Sequence, residues 1–145
     1  MKRRHLLSLS SSLAATFLIA AYAQPAWAQG KKRHQLLIQV SDNDPAKWSL
    51  ALNNAKNLQD DVGAANVDIE LVVYGPGIHM LKNGSPVAAR LSQAVEEGVV
   101  VVACENSVRG QQLSHADLLP TVRYVPAAVT EIMKKQSEGW SYLRP

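Results

Sequence analysis

The stretch VVVVACENS, Val99 to Ser107, decides the fold that we expect for this chain. Four successive valines predict a strand that is buried on both faces, which is typical of a central strand in a parallel sheet. Asn106 and Ser107 are good N-cap residues, so a helix is expected to begin there. Cys104, the only cysteine, therefore lies at the carboxyl end of a buried strand, where open α/β proteins usually hold their functional groups.

Strands and helices are predicted to alternate outward from this stretch. Asp44 and Pro45 mark one helix start, as N-cap and first helical residue. The predicted strands are 34–41, 67–74, 99–103 and 122–125, and the predicted helices are 45–62, 86–97, 107–112 and 126–136. This order predicts an α/β fold with a small, open, mostly parallel sheet and helices on both faces.

The first 28 residues have the features of a signal peptide. A basic start, Lys2 to Arg4, precedes an apolar segment from Leu13 to Ala23 and the cleavage pattern Ala26-Trp27-Ala28. We therefore expect a signal peptide at 1–28, one domain at 29–145, and a periplasmic location. Cleavage or retention of the leader, and Sec or twin-arginine export through the Arg pair, stay open.

Charge and cysteine content narrow the function classes. The leader holds three of the 15 Lys and Arg residues and none of the 12 Asp and Glu residues, so the mature chain is balanced. Without a basic surface or interleaved aromatic residues, nucleic-acid binding is not expected, and neither is stable membrane insertion after cleavage. A single cysteine in an exported protein is buried and inert, paired with another chain, or reactive.

Three loops are predicted to meet at one edge of the sheet, at 41–45, 74–81 and 104–109. Helix-terminal N–H groups near Cys104, together with the charge of Arg109, would favour its reactive thiolate form. His79 lies in the second loop and is expected to assist Cys104, as is Asn106. The alternative is that Cys104 is a small packed residue.

Metal and cofactor sites have little support in the sequence. Cys104, His79 and His115 are ligand types that suit zinc or copper, but no CxxC, HxH or HExxH spacing occurs. Phosphate-binding and nucleophile-elbow glycine motifs are also absent from the sequence. We expect no cofactor and no metal, with a periplasmic metal-binding protein as a minor alternative.

Four short motifs resemble the DsrE/DsrF-like sulfur-relay family, in its single-domain, often exported branch. They are VVYGPG at 72–77, VACENS at 102–107, DLLP at 117–120 and QSEGWSY at 136–142. The resemblance implies a three-layer α/β/α domain that assembles into dimers, trimers or hexamers. It also implies that the cysteine after a central strand, here Cys104, carries sulfur as a persulfide between proteins, while His79 and Asn106 match the family's loops loosely.

The sequence thus predicts a sulfur carrier or thiol-redox protein that acts through Cys104, with His79, Asn106 and Arg109 in supporting roles. Its expected partners are further copies of itself and sulfur donor and acceptor proteins, and its chemistry is sulfur transfer rather than hydrolysis or oxidoreductase turnover. The alternative is a non-catalytic oligomeric module that binds a ligand or partner, with Cys104 only packed. The aromatic tail with Trp140 and Tyr142 is expected to dock on a neighbouring element or subunit.

Overall fold

A five-stranded parallel sheet forms the centre of the part of the chain that the computed structural model describes, residues 34–145. The predicted signal peptide, 1–28, and residues 29–33 lie outside this range. The strands are β1 (His34–Val40), β2 (Val67–Val73), β3 (Val100–Cys104), β4 (Arg123–Val125) and β5 (Ser141–Leu143). The helices are α1 (Pro45–Val62), α2 (Ala88–Glu96), α3 (Glu105–Gly110) and α4 (Ala128–Ser137), with 3₁₀ segments at Ala64–Asn66, Gly75–Leu81 and His115–Asp117.

The strand order is β4-β3-β2-β1-β5, and every pair is parallel. This confirms the predicted α/β class and the parallel sheet. The fifth strand was not predicted: the aromatic tail pairs with β1, where Tyr142 lies opposite Leu37. The tail therefore docks on a neighbouring element of its own chain.

The valine-rich strand is buried on both faces, as its sequence predicts. Val101 and Ala103 point into the larger apolar cluster, which includes α1 and α2 residues such as Trp48 and Leu91. Val102 and Cys104 point into a smaller cluster on the other face, with Ala128 of α4. Because successive side chains of a strand alternate between faces, Cys104 lies on the face that α4 covers.

Prediction and structure differ at the first residues of several helices. Asp44 caps α1 as expected, and its carboxylate accepts the Ala46 N–H at 2.9 Å. In contrast, α3 begins at Glu105 instead of Ser107, because Cys104 itself occupies the N-cap position. Both α2 and α4 begin two residues later than their prolines suggest, at Ala88 and Ala128.

Within residues 34–145, no helix combines the length and the apolar character that crossing a membrane requires.

Candidate thiol site

Cys104 joins the end of β3 to the start of α3, and it is also close to the start of α4. Only 5% of the residue is exposed. The N–H of Ala128, the first residue of α4, donates a hydrogen bond to its Sγ atom at 3.4 Å. The starts of two helices therefore converge on one sulfur, and N–H groups at a helix start favour a negative charge.

These donors favour the thiolate form of Cys104. Burial raises the pKa of the thiol, but hydrogen bonding from the Ser107 hydroxyl and from the N–H groups of Ala128, Ser107 and Asn106 outweighs burial, so the pKa lies below that of an ordinary cysteine. The bond from Ala128 has full hydrogen-bond geometry, whereas the start of α3 approaches Sγ without forming a complete side-chain cap. The sulfur is buried, and the donors around it lower the pKa of the thiol and so favour the thiolate form.

The three predicted loops do meet at the carboxyl edge of the sheet. The Gly75 N–H donates to Ser107 Oγ at 2.8 Å, which joins the loop after β2 to α3. The Gly77 N–H donates to the Ser41 carbonyl at 3.0 Å, which joins the same loop to the end of β1. A side chain at Gly77 would not fit, because its Cβ would lie 2.7 Å from the Val40 carbonyl oxygen.

His79 lies on the loop after β2, as predicted, but its ring forms a hydrogen bond with Gln111 and not with Cys104. Its Nε2 atom is 3.2 Å from Oε1 of Gln111, just beyond α3, and the ring is half-buried. The groups that set the pKa of Cys104 do not include this imidazole. His79 therefore connects the loop after β2 to the end of α3.

Asn106 and Arg109 lie together on the exposed side of α3. The Arg109 guanidinium donates to Oδ1 of Asn106 and lies 3.9 Å from the Glu105 carboxylate. Asn106 acts on Cys104 through its backbone N–H, whereas the charge of Arg109 is not among the causes of the lowered pKa. Of the three predicted supporting residues, His79, Asn106 and Arg109, only Asn106 affects the pKa of the sulfur, and it does so through its main-chain N–H.

His115 belongs to a separate surface cluster. Its Nε2 atom lies 2.9 Å from Oε1 of Glu105, and its ring stacks on Tyr124 with 3.7 Å between centroids. Within residues 34–145, no group of three or more His, Cys, Asp or Glu side chains is arranged to hold a metal ion. The ligand set considered for the minor alternative, Cys104 with His79 and His115, is thus not assembled in the described part of the chain.

Sequence reasoning missed a polar network on the Cys104 face of the sheet. Gln39 is 6% exposed, and its amide N–H donates to the Tyr74 hydroxyl at 2.6 Å. The Tyr142 hydroxyl donates to Oε1 of the same amide. The network ties the tail strand to β1 and to the end of β2. No local sequence pattern could indicate it, because Gln39 is 35 residues from Tyr74 and 103 residues from Tyr142.

A buried ion pair fastens the C-terminal half of α4 to β2, where Glu70 lies opposite Val100 at the start of β3. Lys135 Nζ lies 2.9 Å from Oε2 of Glu70 and 4.3 Å from the centre of the Trp140 ring. Burial, together with the neighbouring Glu131 carboxyl group, raises the pKa of Glu70 by more than Lys135 lowers it, while Oε1 of Glu70 has no geometrically defined hydrogen-bond partner. Burial lowers the pKa of Lys135, but hydrogen bonding to Glu70 and the charges of Glu70 and Glu131 raise it by more. Lys135 is shared between Glu70 and Glu131, which favours its charged form. The same sharing means that the negative charge of Glu70 is only partly neutralised.

The described part of the chain has a parallel sheet with helices, and Cys104, whose thiolate form is favoured, lies at the end of strand β3. These two features define the class of the protein: an α/β domain with a thiol site at the carboxyl edge of its sheet. The model of the DsrE/DsrF-like family matches residues 34–145, so the chain belongs to that family.

Solved structures agree with this assignment. A protein of unknown function, MTH1491 from Methanobacterium thermoautotrophicum, is 31% identical over 77% of this chain and 99% of its own, with a TM-score of 0.74. The ychN protein from E. coli is 15% identical over 77% of this chain and 98% of its own, with a TM-score of 0.62. BT1422 from Bacteroides thetaiotaomicron is 16% identical, covers 77% and 94%, and has a TM-score of 0.61.

The identities to the E. coli and Bacteroides proteins support the fold alone. A comparison with curated proteins finds no match.

Proposed function

We propose that the protein is a sulfur carrier, and that the Sγ atom of Cys104 is the only atom that accepts the transferred sulfur. The thiolate attacks the outer sulfur of a donor persulfide R–S–SH. A new S–S bond forms at Cys104, the donor S–S bond breaks, and R–S⁻ leaves. An acceptor thiolate then attacks the outer sulfur of the Cys104 persulfide and regenerates the Cys104 thiolate, so that neither step needs an external oxidant or reductant.

The observation that supports this proposal is the set of donors around Sγ. The thiolate, not the thiol, is the nucleophile in sulfur chemistry. A thiol that is merely packed among apolar groups has a raised pKa, whereas the pKa of Cys104 is lowered despite burial. Membership of the DsrE/DsrF-like family adds support, because the resemblance to its sulfur-relay members implies a persulfide on the cysteine after a central strand.

Access to Sγ depends on the start of α4 in this proposal. Ala128 is 1% exposed and contacts the sulfur directly, while the outer side of the same helix shows Val129 at 69% and Met133 at 60% exposure. The helix is thus anchored on its inner side only. A donor reaches Cys104 when the first turn of α4 moves away from the sheet.

We propose further that the carrier works after export and as a homo-oligomer, with donor and acceptor thiols on other molecules. The leader-like segment at 1–28 supports export. The exposed Val129 and Met133 side chains support association, because neighbouring apolar side chains on one helix face are typical of an interface. Sedimentation of the mature protein as a monomer would contradict the oligomeric part of this proposal.

The burial of Cys104 favours a second candidate, an oligomeric binding module in which the thiol is only packed. At 5% exposure, Sγ is shielded in the same way as a structural cysteine. The two candidates differ in the rate at which the native protein reacts with a small thiol reagent. Fast reaction supports the carrier, and reaction only at the rate of global unfolding supports the module.

The direct experiment uses inorganic polysulfide as donor and intact-mass spectrometry as readout. The carrier proposal expects a sulfur-sized mass increase in the wild-type protein that is absent in Cys104→Ser. Wild-type protein that stays unmodified would overturn the proposal.

A further inference from the structure

Ser107 stands where it can act on the Cys104 sulfur across the first turn of α3. Cys104 is the N-cap residue of that helix, and Ser107 is its third helical residue. The side chain of the third helical residue can reach back over the first turn to the N-cap residue, as the N3 side chain of a capping box does. Ser107 is half-buried, so water competes only in part for its hydroxyl.

The loop after β2 fixes the direction of the Ser107 hydrogen bond. The Gly75 N–H donates to Ser107 Oγ at 2.8 Å, so this oxygen already acts as an acceptor. Gly75 has a φ of +54°, and the neighbouring Gly77 is held against the Val40 carbonyl, so the donor cannot turn away easily. A hydroxyl carries one proton, and with the loop N–H on its lone pair that proton is free for the sulfur.

We propose that Ser107 is a positioning residue for Cys104, which accepts the Gly75 N–H and donates its own proton to Sγ, and so holds the sulfur as an anion. A hydrogen bond to a charged acceptor is about twice as strong as one to a neutral acceptor, so the hydroxyl stabilises the thiolate more than the thiol. The loop after β2 thereby influences the reactivity of a residue on β3.

The same residue type limits what the sulfur can do next. A second thiol at 107 would attack Sγ of a Cys104 persulfide, form a disulfide and release hydrosulfide. The serine hydroxyl donates a hydrogen bond but does not resolve the persulfide, so a bound sulfur stays available for an external acceptor. This consequence rests on the proposed carrier function, whereas the stabilisation of the thiolate does not.

The test is a pH titration of the thiolate absorbance in the ultraviolet, with the spectrum of Cys104→Ala subtracted to remove the tyrosines. Ser107→Ala is expected to raise the midpoint by about one pH unit, which is a tenfold loss of thiolate below the midpoint. Ser107→Thr keeps the hydroxyl and the Gly75 contact, so its midpoint should stay close to that of the wild type. Ser137→Ala is the matched control, because that hydroxyl bonds to the Met133 carbonyl on the exposed part of α4.

Two results would overturn the role of Ser107: an unchanged midpoint in Ser107→Ala, or an equal shift in Ser107→Thr. The polysulfide experiment separates this inference from the carrier function. A shifted midpoint in a protein that never takes up sulfur supports Ser107 and contradicts the carrier. Sulfur uptake with an unshifted midpoint supports the carrier and contradicts Ser107.

Discussion

Replacing Lys135 by methionine tests how the C-terminal half of α4 is held on the sheet. Methionine has a similar length and keeps the apolar stem, but it removes the cation from between Glu70 and the Trp140 ring. The Glu70 side chain is only 6% exposed and one of its oxygens already lacks a partner. The variant therefore leaves a buried carboxylate without its cation and next to the Glu131 carboxyl group.

The expected loss of stability is about 3 kcal/mol near neutral pH, since removing one partner of a buried ion pair typically costs about 3–5 kcal/mol. We take the lower end because Lys135 is 20% exposed, so that water replaces it in part. The neighbouring Lys134 is exposed, and Lys134→Met is the matched control, with an expected change within about 0.5 kcal/mol.

The pH dependence has a defined sign. Burial raises the pKa of Glu70 in the folded protein, so its contribution to stability is fully present below the unfolded pKa and is lost as pH rises through the folded pKa. Without Lys135 the pKa of Glu70 rises further. The destabilisation in Lys135→Met should therefore be largest at neutral pH and should shrink on acidification.

Urea unfolding at neutral and mildly acidic pH measures these free energies. The double variant Glu70→Leu with Lys135→Met replaces the pair by apolar side chains, and its stability should return close to that of the wild type. The reasoning is refuted if Lys135→Met unfolds at the wild-type urea concentration, or if the double variant is no more stable than the single one.

Two further substitutions test the tail strand and the β2 loop. Tyr142→Phe removes the donor to the buried Gln39 amide, and we expect a loss of about 1–2 kcal/mol in urea unfolding; a change below about 0.5 kcal/mol would show that the network does not hold β5. Gly77→Ala places a Cβ against the Val40 carbonyl and should lower the melting temperature clearly, whereas Gly84→Ala, with nothing within 4 Å, should have little effect; equal melting temperatures would contradict the close approach.

Most of the fold could be predicted because local signals agree with the tertiary structure. Asp44 and Pro45 fix the start of α1, and the four valines identify a strand that is buried on both faces. The tail strand escaped prediction because three residues, Ser141–Leu143, have no periodicity of their own and become a strand only against the edge of β1.

The site could be predicted where chain neighbours form it and where the parallel topology brings loops to the same edge of the sheet. The position of Cys104 before a helix follows from the sequence, and so does the meeting of the three loops. The Ala128 donor could not be found, since it is 24 residues away in the chain and arrives through the packing of α4. A histidine in the β2 loop suggested contact with the thiol, but the ring of His79 lies against Gln111.

The most direct test of the central claim follows one sulfur atom onto Cys104 and off again. Protein that begins at Gln29, the predicted mature start, is loaded with polysulfide, freed of excess donor and then mixed with a small acceptor thiol, while intact mass is recorded before and after. The carrier account predicts a sulfur-sized increase on wild-type protein, its loss on addition of the thiol with persulfide appearing on the acceptor, and neither change in Cys104→Ser. Wild-type protein that gains no sulfur, or gains it equally in Cys104→Ser, would contradict the account.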